Sequence, residues 1–102
     1  MGAKENAVTK ALREYLTLKG AKVVRVQAGM MKIGKGPAAR VMRLAEAGTA
    51  DLLGVYKGQA IAVEAKTATG RQSDTQRAFQ QAWEKAGGKY VVARSVADLE
   101  GL

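Results

Sequence analysis

The chain has 102 residues, with 17 Lys and Arg against 9 Asp and Glu, so its formal net charge is +8 at pH 7. This length predicts one domain spanning residues 1–102. The sequence contains no Cys and no His, which excludes disulfides, Cys- or His-ligated metals, thiol nucleophiles and histidine base catalysis. Enzyme chemistry would therefore use carboxylates, lysine, hydroxyls and amides, and a metal held by their oxygen atoms would be Mg²⁺ or Mn²⁺.

The first half of the chain begins with a predicted helix over residues 4–19, which ends at Gly20. Its apolar residues recur at helical spacing and form one stripe: Val8, Ala11, Leu12, Tyr15 and Leu16. The short β-branched run 22–28 (KVVRVQA) predicts a strand.

Residues 29–50 allow two interpretations. Glycines and Pro37 punctuate this segment. We favour a β-hairpin in which residues 30–33 and 39–45 are joined by a turn at 34–37. The rival is a short helix over residues 38–46, because Ala, Met, Arg and Leu favour helix.

The second half predicts another hairpin, from residues 51–56 and 60–66. A helix follows over residues 73–86, and a strand over residues 89–93. The helix has a predicted buried stripe of Ala78, Phe79, Ala82, Trp83 and Ala86, and Ser95 is expected to cap a short terminal helix carrying Val96 and Leu99. Together the elements predict an α/β fold with a mixed β-sheet flanked by helices.

Two carboxylates and one lysine are predicted to meet in the second hairpin. Asp51 opens one strand, whereas Glu64 and Lys66 lie two residues apart near the end of the next strand and so share a face. Two nearby carboxylates repel each other, and a divalent cation removes that repulsion. The alternative is an exposed hairpin with an ordinary Glu–Lys pair.

Glu5 and Gln76 have a structural interpretation beside the functional one. Glu5 lies on the apolar stripe of the first helix, where an acid needs a partner, but an acid near a helix N-terminus also favours the helix dipole. Glu14 faces water. Gln76 is expected either to complete a capping box with Ser73 or to reach the acidic site.

The run GTADLLGVYKGQAIAVEAK, followed by SDTQRAFQQAWEKAGGKYVVARSVADLE, resembles the VRR-NUC branch of the PD-(D/E)XK nuclease superfamily over nearly the whole chain. The resemblance implies a restriction endonuclease-like core. It also implies that Glu5, Asp51, Glu64 and the carbonyl of Ala65 hold the metal, with Asp51, Glu64, Lys66 and Gln76 as catalytic residues. The family usually has Pro before the Asp; Ala50 stands there instead, and we expect looser geometry with the ligand intact.

The resemblance implies Mg²⁺- or Mn²⁺-dependent hydrolysis of branched or structured DNA, such as four-way Holliday-type junctions. It also implies a symmetric homodimer, as in the short members of this family. The alternatives are a basic nucleic-acid-binding module without cleavage, and a nuclease for flaps, single strands or RNA. No apolar run approaches the ~20 residues of a membrane span, and the N-terminus lacks a signal-peptide core. We therefore expect a cytoplasmic protein without a membrane partner.

The positive charge is concentrated in residues 1–50, which carry ten Lys and Arg against three acids, whereas residues 51–102 carry seven against six. This asymmetry favours a nucleic-acid partner over an ordinary solvated surface. The candidate phosphate contacts are Lys4, Lys32, Lys35, Arg40, Arg43 and Arg71. Such contacts position a duplex without reading its sequence.

Overall fold

The computed structural model describes residues 3–27 and 29–102, and within them the side chains outside residues 3–5, 29–32 and 42–44. Two helices, six strands and two short 3₁₀ turns follow one another in these ranges. The elements in chain order are α1 (Ala3–Leu18), β1 (Lys22–Arg25), β2 (Gly29–Ile33), a 3₁₀ turn (Gly36–Ala38), β3 (Arg40–Ala45), β4 (Leu52–Tyr56), β5 (Gln59–Ala65), α2 (Asp74–Lys85), β6 (Lys89–Ala93) and a second 3₁₀ turn (Val96–Leu99).

A four-stranded mixed sheet forms the centre of the fold, in the order β1-β4-β5-β6. The β1–β4 and β4–β5 pairs are antiparallel, whereas β5 and β6 are parallel and α2 makes the crossover between them. Consequently the last residues of β1, β5 and β6 lie at the same end of the sheet as the first residue of β4. We call this end, marked by Arg25, Leu52, Ala65 and Ala93, the carboxyl edge.

The main core lies between α1 and one face of the sheet. Leu12 and Leu16 of α1 pack with the alternate residues Ile61, Val63 and Ala65 of β5, and all five are buried. This alternation leaves the even-numbered residues of β5, including Glu64, on the opposite face. The helix stripe is confirmed except at its border, because the predicted core residue Ala11 is exposed.

The second face of the sheet has a smaller core, which α2 covers. Phe79 and Trp83 stack with their centroids 5.7 Å apart and pack with the buried Tyr90. The predicted stripe was too wide: none of the twelve residues of α2, all of them described, is fully buried. The two aromatic rings span the gap to the sheet, so Ala78, Ala82 and the following Ala86 remain exposed.

The hairpin interpretation of residues 29–50 is confirmed, and the rival helix is wrong. β2 and β3 pair antiparallel, with Lys32 opposite Val41, in a two-stranded sheet of their own. The turn uses Gly34 (φ +86°) and Gly36 (φ +65°), a backbone conformation that glycine adopts without strain. The molecule measures 50 × 30 × 25 Å.

Two other local predictions need correction. The strand predicted over residues 22–28 covers only Lys22–Arg25 among the described residues, where its ladder with β4 ends at Arg25 opposite Leu52; Ala28 lies outside them. The predicted terminal helix is a 3₁₀ turn, and in the described structure the Ser95 side chain makes no capping bond. Asp98 instead connects the turn to the end of β6, because its Oδ2 accepts a 2.7 Å hydrogen bond from the backbone N–H of Arg94. Neither described helix has the length and apolar character required to cross a membrane.

Candidate active site

Asp51 lies immediately before β4 at the carboxyl edge, and the backbone holds it from both sides. Its Oδ2 accepts a 2.8 Å hydrogen bond from the N–H of Ala65, while its carbonyl accepts one of 2.8 Å from the N–H of Val26. The residue is only 7% exposed. Since Ala65 is the last residue of β5 and stands between Glu64 and Lys66, the carboxylate of Asp51 is directed at the E-x-K segment.

A close backbone contact sets the position of the loop that leads to Asp51. Gly48 has φ +84°, and a Cβ atom built on it would lie 2.2 Å from the carbonyl oxygen of Thr75. Only a residue without a side chain fits this approach. The loop therefore packs directly on the first turn of α2, which also carries Gln76.

Glu64 lies at the centre of the polar cluster and is 1% exposed. Its Oε2 lies 3.6 Å from Nζ of Lys66 and accepts a 3.1 Å hydrogen bond from Nε2 of Gln76. A buried carboxylate requires such charged and polar neighbours. The structure thus brings Glu64, Lys66 and Gln76 into direct contact, with Asp51 bonded to the intervening Ala65.

The side chain of Gln76 makes both of the interactions that the sequence predicts for it, one in the helix cap and one with the acidic site. Its Oε1 accepts a 2.9 Å hydrogen bond from the N–H of Ser73, and the Ser73 hydroxyl accepts a 3.2 Å bond from the N–H of Gln76, which completes the capping box. This use of Oε1 turns Nε2 toward Glu64. The helix cap therefore orients the amide that contacts the acid.

Tyr90 joins this cluster, although the sequence interpretation gave it no site role. Burial, together with the negative charges of Glu64 and Asp51, raises the pKa of its hydroxyl from 10 to about 12, and a hydrogen bond from Gln72 opposes this shift. Both carboxylates therefore act on one hydroxyl. Tyr90 pairs with Ala62 in register, and strand alternation places it on the face of Glu64. The alternation can be read from the sequence, but the pairing cannot.

The segment after Lys66 is held by a second residue that the sequence interpretation missed. Arg94 Nη1 donates hydrogen bonds of 2.6 Å to the carbonyl of Thr67 and 2.7 Å to that of Gly70. A Cβ atom on Gly70 would lie 3.4 Å from the Lys66 stem, so this loop packs against the lysine. Arg94 follows β6 directly, which brings its guanidinium to the carboxyl edge.

The remaining predicted residues fall into two groups. Lys35 and Arg40 on the hairpin and Arg71 in the loop after Lys66 are exposed, as phosphate contacts must be. The side chains of four others lie outside the described part of the structure: Lys4, Glu5, Lys32 and Arg43. Glu14 is exposed, as expected from its place on α1.

The donor atoms at the carboxyl edge suit a hard divalent cation. Asp51 and Glu64 supply carboxylate oxygens, and the carbonyl of Ala65 points to the side of its strand that carries the N–H bonded to Asp51. Such an all-oxygen set matches Mg²⁺ or Mn²⁺. Among the described side chains no group of three potential metal-ligating residues forms; Glu5, the third acid that the resemblance implies, has its side chain outside them.

The fold and this cluster define a class: a basic, mixed α/β protein with two buried acids, a lysine and an amide at the carboxyl edge of its sheet. No model of a known protein family matches the chain, and no curated protein matches it either.

Proposed function

We propose that this protein is a Mg²⁺- or Mn²⁺-dependent endonuclease of the VRR-NUC branch of the PD-(D/E)XK superfamily. The observation that most directly supports this proposal is the 2.8 Å hydrogen bond from Ala65 N–H to Asp51. It joins Asp51 to the residue between Glu64 and Lys66, although twelve residues separate the two acids in the sequence. The mixed sheet flanked by helices is the fold class that the resemblance implies.

Asp51, Glu64 and the Ala65 carbonyl would hold the metal, together with Glu5 as the resemblance implies. When bound, the metal polarises the scissile phosphate and lowers the pKa of its bound water. Lys66, held 3.6 Å from Glu64, keeps a positive charge where negative charge develops on the phosphate. Gln76 fixes the rotamer of Glu64 through its 3.1 Å hydrogen bond, so the carboxylate is positioned before substrate arrives.

The proposed substrate is branched or structured DNA, and the proposed assembly is a symmetric homodimer. A two-fold pair would place one site against each of two opposing strands. The net charge of +8 supports a polyanionic partner. Sedimentation in the presence and absence of a four-way junction tests the dimer independently of cleavage.

A nucleic-acid-binding module without cleavage is the second candidate. It is favoured by the partners that both acids already have within the protein: Asp51 binds a backbone N–H, and Glu64 binds Lys66 and Gln76. Such contacts would also stabilise a purely structural cluster. The difference between the candidates is therefore metal-dependent bond cleavage.

The deciding experiment incubates the protein with a four-way junction, a flap, a linear duplex, a single strand and RNA, each with Mg²⁺, Mn²⁺ or EDTA. We expect nicking of the junction with either metal and none with EDTA. Asp51→Asn is the matched inactive control. Binding of the junction without metal-dependent nicking selects the second candidate, and cleavage confined to another substrate changes the proposed specificity.

A further inference from the structure

A cavity of about 360 Å³ opens beside the end of β1. Its lining consists of Asn6 from α1 and the three consecutive residues Arg25, Val26 and Gln27. The N–H of Val26 holds the carbonyl of Asp51 at 2.8 Å. The cavity wall and the acidic cluster are therefore joined by one backbone hydrogen bond.

Arg25 places its guanidinium group at this cavity in a defined orientation. It is the last residue of the edge strand β1, and its side chain is exposed. Its Nη2 donates a 2.9 Å hydrogen bond to Oδ1 of Asn6. The Asn6 amide is one of the groups that orient the guanidinium. A guanidinium group with its planar set of donors suits the oxygen atoms of a phosphate.

Resting on the proposed nuclease function, we propose that this cavity is a phosphate subsite, in which Arg25 binds a backbone phosphate adjacent to the one at Asp51 and Glu64. Asn6 acts as a positioning residue for the guanidinium, and the amide of Gln27 adds a polar group to the same wall. Since a phosphate contact carries no base information, the subsite sets the position of the strand over the acids.

The test compares Arg25→Gln with Arg13→Gln. The control removes the same charge from an exposed position on α1, about two turns after Asn6. Fluorescence anisotropy in EDTA measures affinity for a labelled linear duplex without cleavage. We expect Arg25→Gln to weaken binding about tenfold at 0.1 M salt and to reduce the log–log salt slope by about 1. Arg13→Gln should change affinity by less than about twofold, and Arg25→Lys should restore part of the loss.

If the hydrogen bond between Arg25 and Asn6 only stabilises the packing of α1 on β1, the result would differ. In that case Arg25→Gln would lower the thermal midpoint, but below that midpoint its duplex affinity and salt slope would equal those of Arg13→Gln. This outcome overturns the subsite. Asn6→Ala, which keeps the charge, is expected to weaken duplex binding about threefold by releasing one hydrogen bond of the guanidinium; wild-type affinity in this variant would contradict the positioning role.

Failure of the subsite and failure of the proposed function remain distinguishable. Nicking of the four-way junction in Mg²⁺ reports on the nuclease, whereas duplex affinity in EDTA reports on Arg25. A wild-type protein that nicks, combined with an Arg25→Gln variant that binds like Arg13→Gln, removes only the subsite. A wild-type protein that binds but never nicks, combined with loss of affinity in Arg25→Gln, removes only the nuclease.

Discussion

The carboxyl groups of Asp51 and Glu64 each accept hydrogen bonds that a neutral amide also accepts. Asp51→Asn and Glu64→Gln keep an oxygen toward Ala65 N–H and Gln76 Nε2, respectively, but remove the negative charge. We therefore expect folded proteins whose metal-dependent nicking rate falls by a factor of about a hundred or more.

Duplex binding by these two variants should stay at the wild-type level or improve, because negative charge is lost near phosphate. Glu14→Gln removes the same charge at an exposed position on α1 and should leave the nicking rate unchanged. Time courses on a four-way junction and anisotropy in EDTA give the two readouts. Normal cleavage by both site variants would show that the acids are structural.

Tyr90 provides a spectroscopic probe of the cluster. Because burial and the two carboxylates raise its pKa from 10 to about 12, the folded protein retains a proton that the unfolded chain releases. Its contribution to stability is therefore complete below pH 10 and is lost as pH rises from 10 to 12. Tyrosinate absorbance of wild type minus Tyr90→Phe should titrate near pH 12. A difference curve centred near pH 10 would contradict the burial of this hydroxyl beside the acids.

Individual side chains were predictable where a local sequence pattern determines their position. Glu64 and Lys66 share a face by strand alternation alone, and the capping box followed from the order of Ser73 and Gln76. Tyr90 was missed because a tyrosine in an apolar strand is usually a core residue. Its second property, proximity to acids on the neighbouring strand, depends on the parallel β5–β6 register, which no local pattern contains.

At the level of elements, the contribution of the loop–helix contact at Gly48 to stability can be measured separately from that of backbone strain. Gly48→Ala places a Cβ atom against the Thr75 carbonyl and also strains a residue at φ +84°, whereas Gly58→Ala has the same strain at φ +78° with nothing within 4 Å. We expect Gly58→Ala to cost about 1 kcal/mol of unfolding free energy and Gly48→Ala about 2–4 kcal/mol.

The Gly48→Ala substitution should also reduce nicking measured well below its thermal midpoint, because the loop that carries Asp51 moves away from α2. Urea unfolding gives the free energies of both variants, and junction cleavage gives the functional readout. Equal destabilisation by the two substitutions would mean that the Gly48–Thr75 approach has no energetic importance.

Element boundaries were predicted well where a turn residue or cap marks them and poorly where tertiary packing decides. Both hairpins and the helix over 74–85 follow glycine and cap signals. β1 ends at Arg25, opposite the first residue of β4, and the alanines of α2 stay exposed because two aromatic rings fill the contact. Strand length and the width of a buried helix face depend on the neighbouring element, so the sequence of one segment does not determine them.

At the scale of the whole molecule, exposed basic side chains lie on two separate surfaces. Lys35 and Arg40 are exposed on the β2–β3 hairpin, whereas Lys57 and Lys89 are exposed at the opposite end of the sheet from the acids. If DNA lies across the hairpin and the carboxyl edge, only the first pair contacts phosphate. The arrangement thus allows one surface to be tested against another at equal net charge.

The salt dependence of duplex binding measures that difference. With about four phosphates neutralised, wild-type log affinity should fall against log salt concentration with a slope near −4. The double variant Lys35→Gln/Arg40→Gln should have a slope near −2, while Lys57→Gln/Lys89→Gln, with the same loss of two charges, should keep the wild-type slope. Anisotropy titrations in EDTA at several salt concentrations provide the slopes. If both double variants lose affinity equally, net charge rather than the hairpin surface attracts DNA, since a long-range field responds to total charge and a contact responds to position.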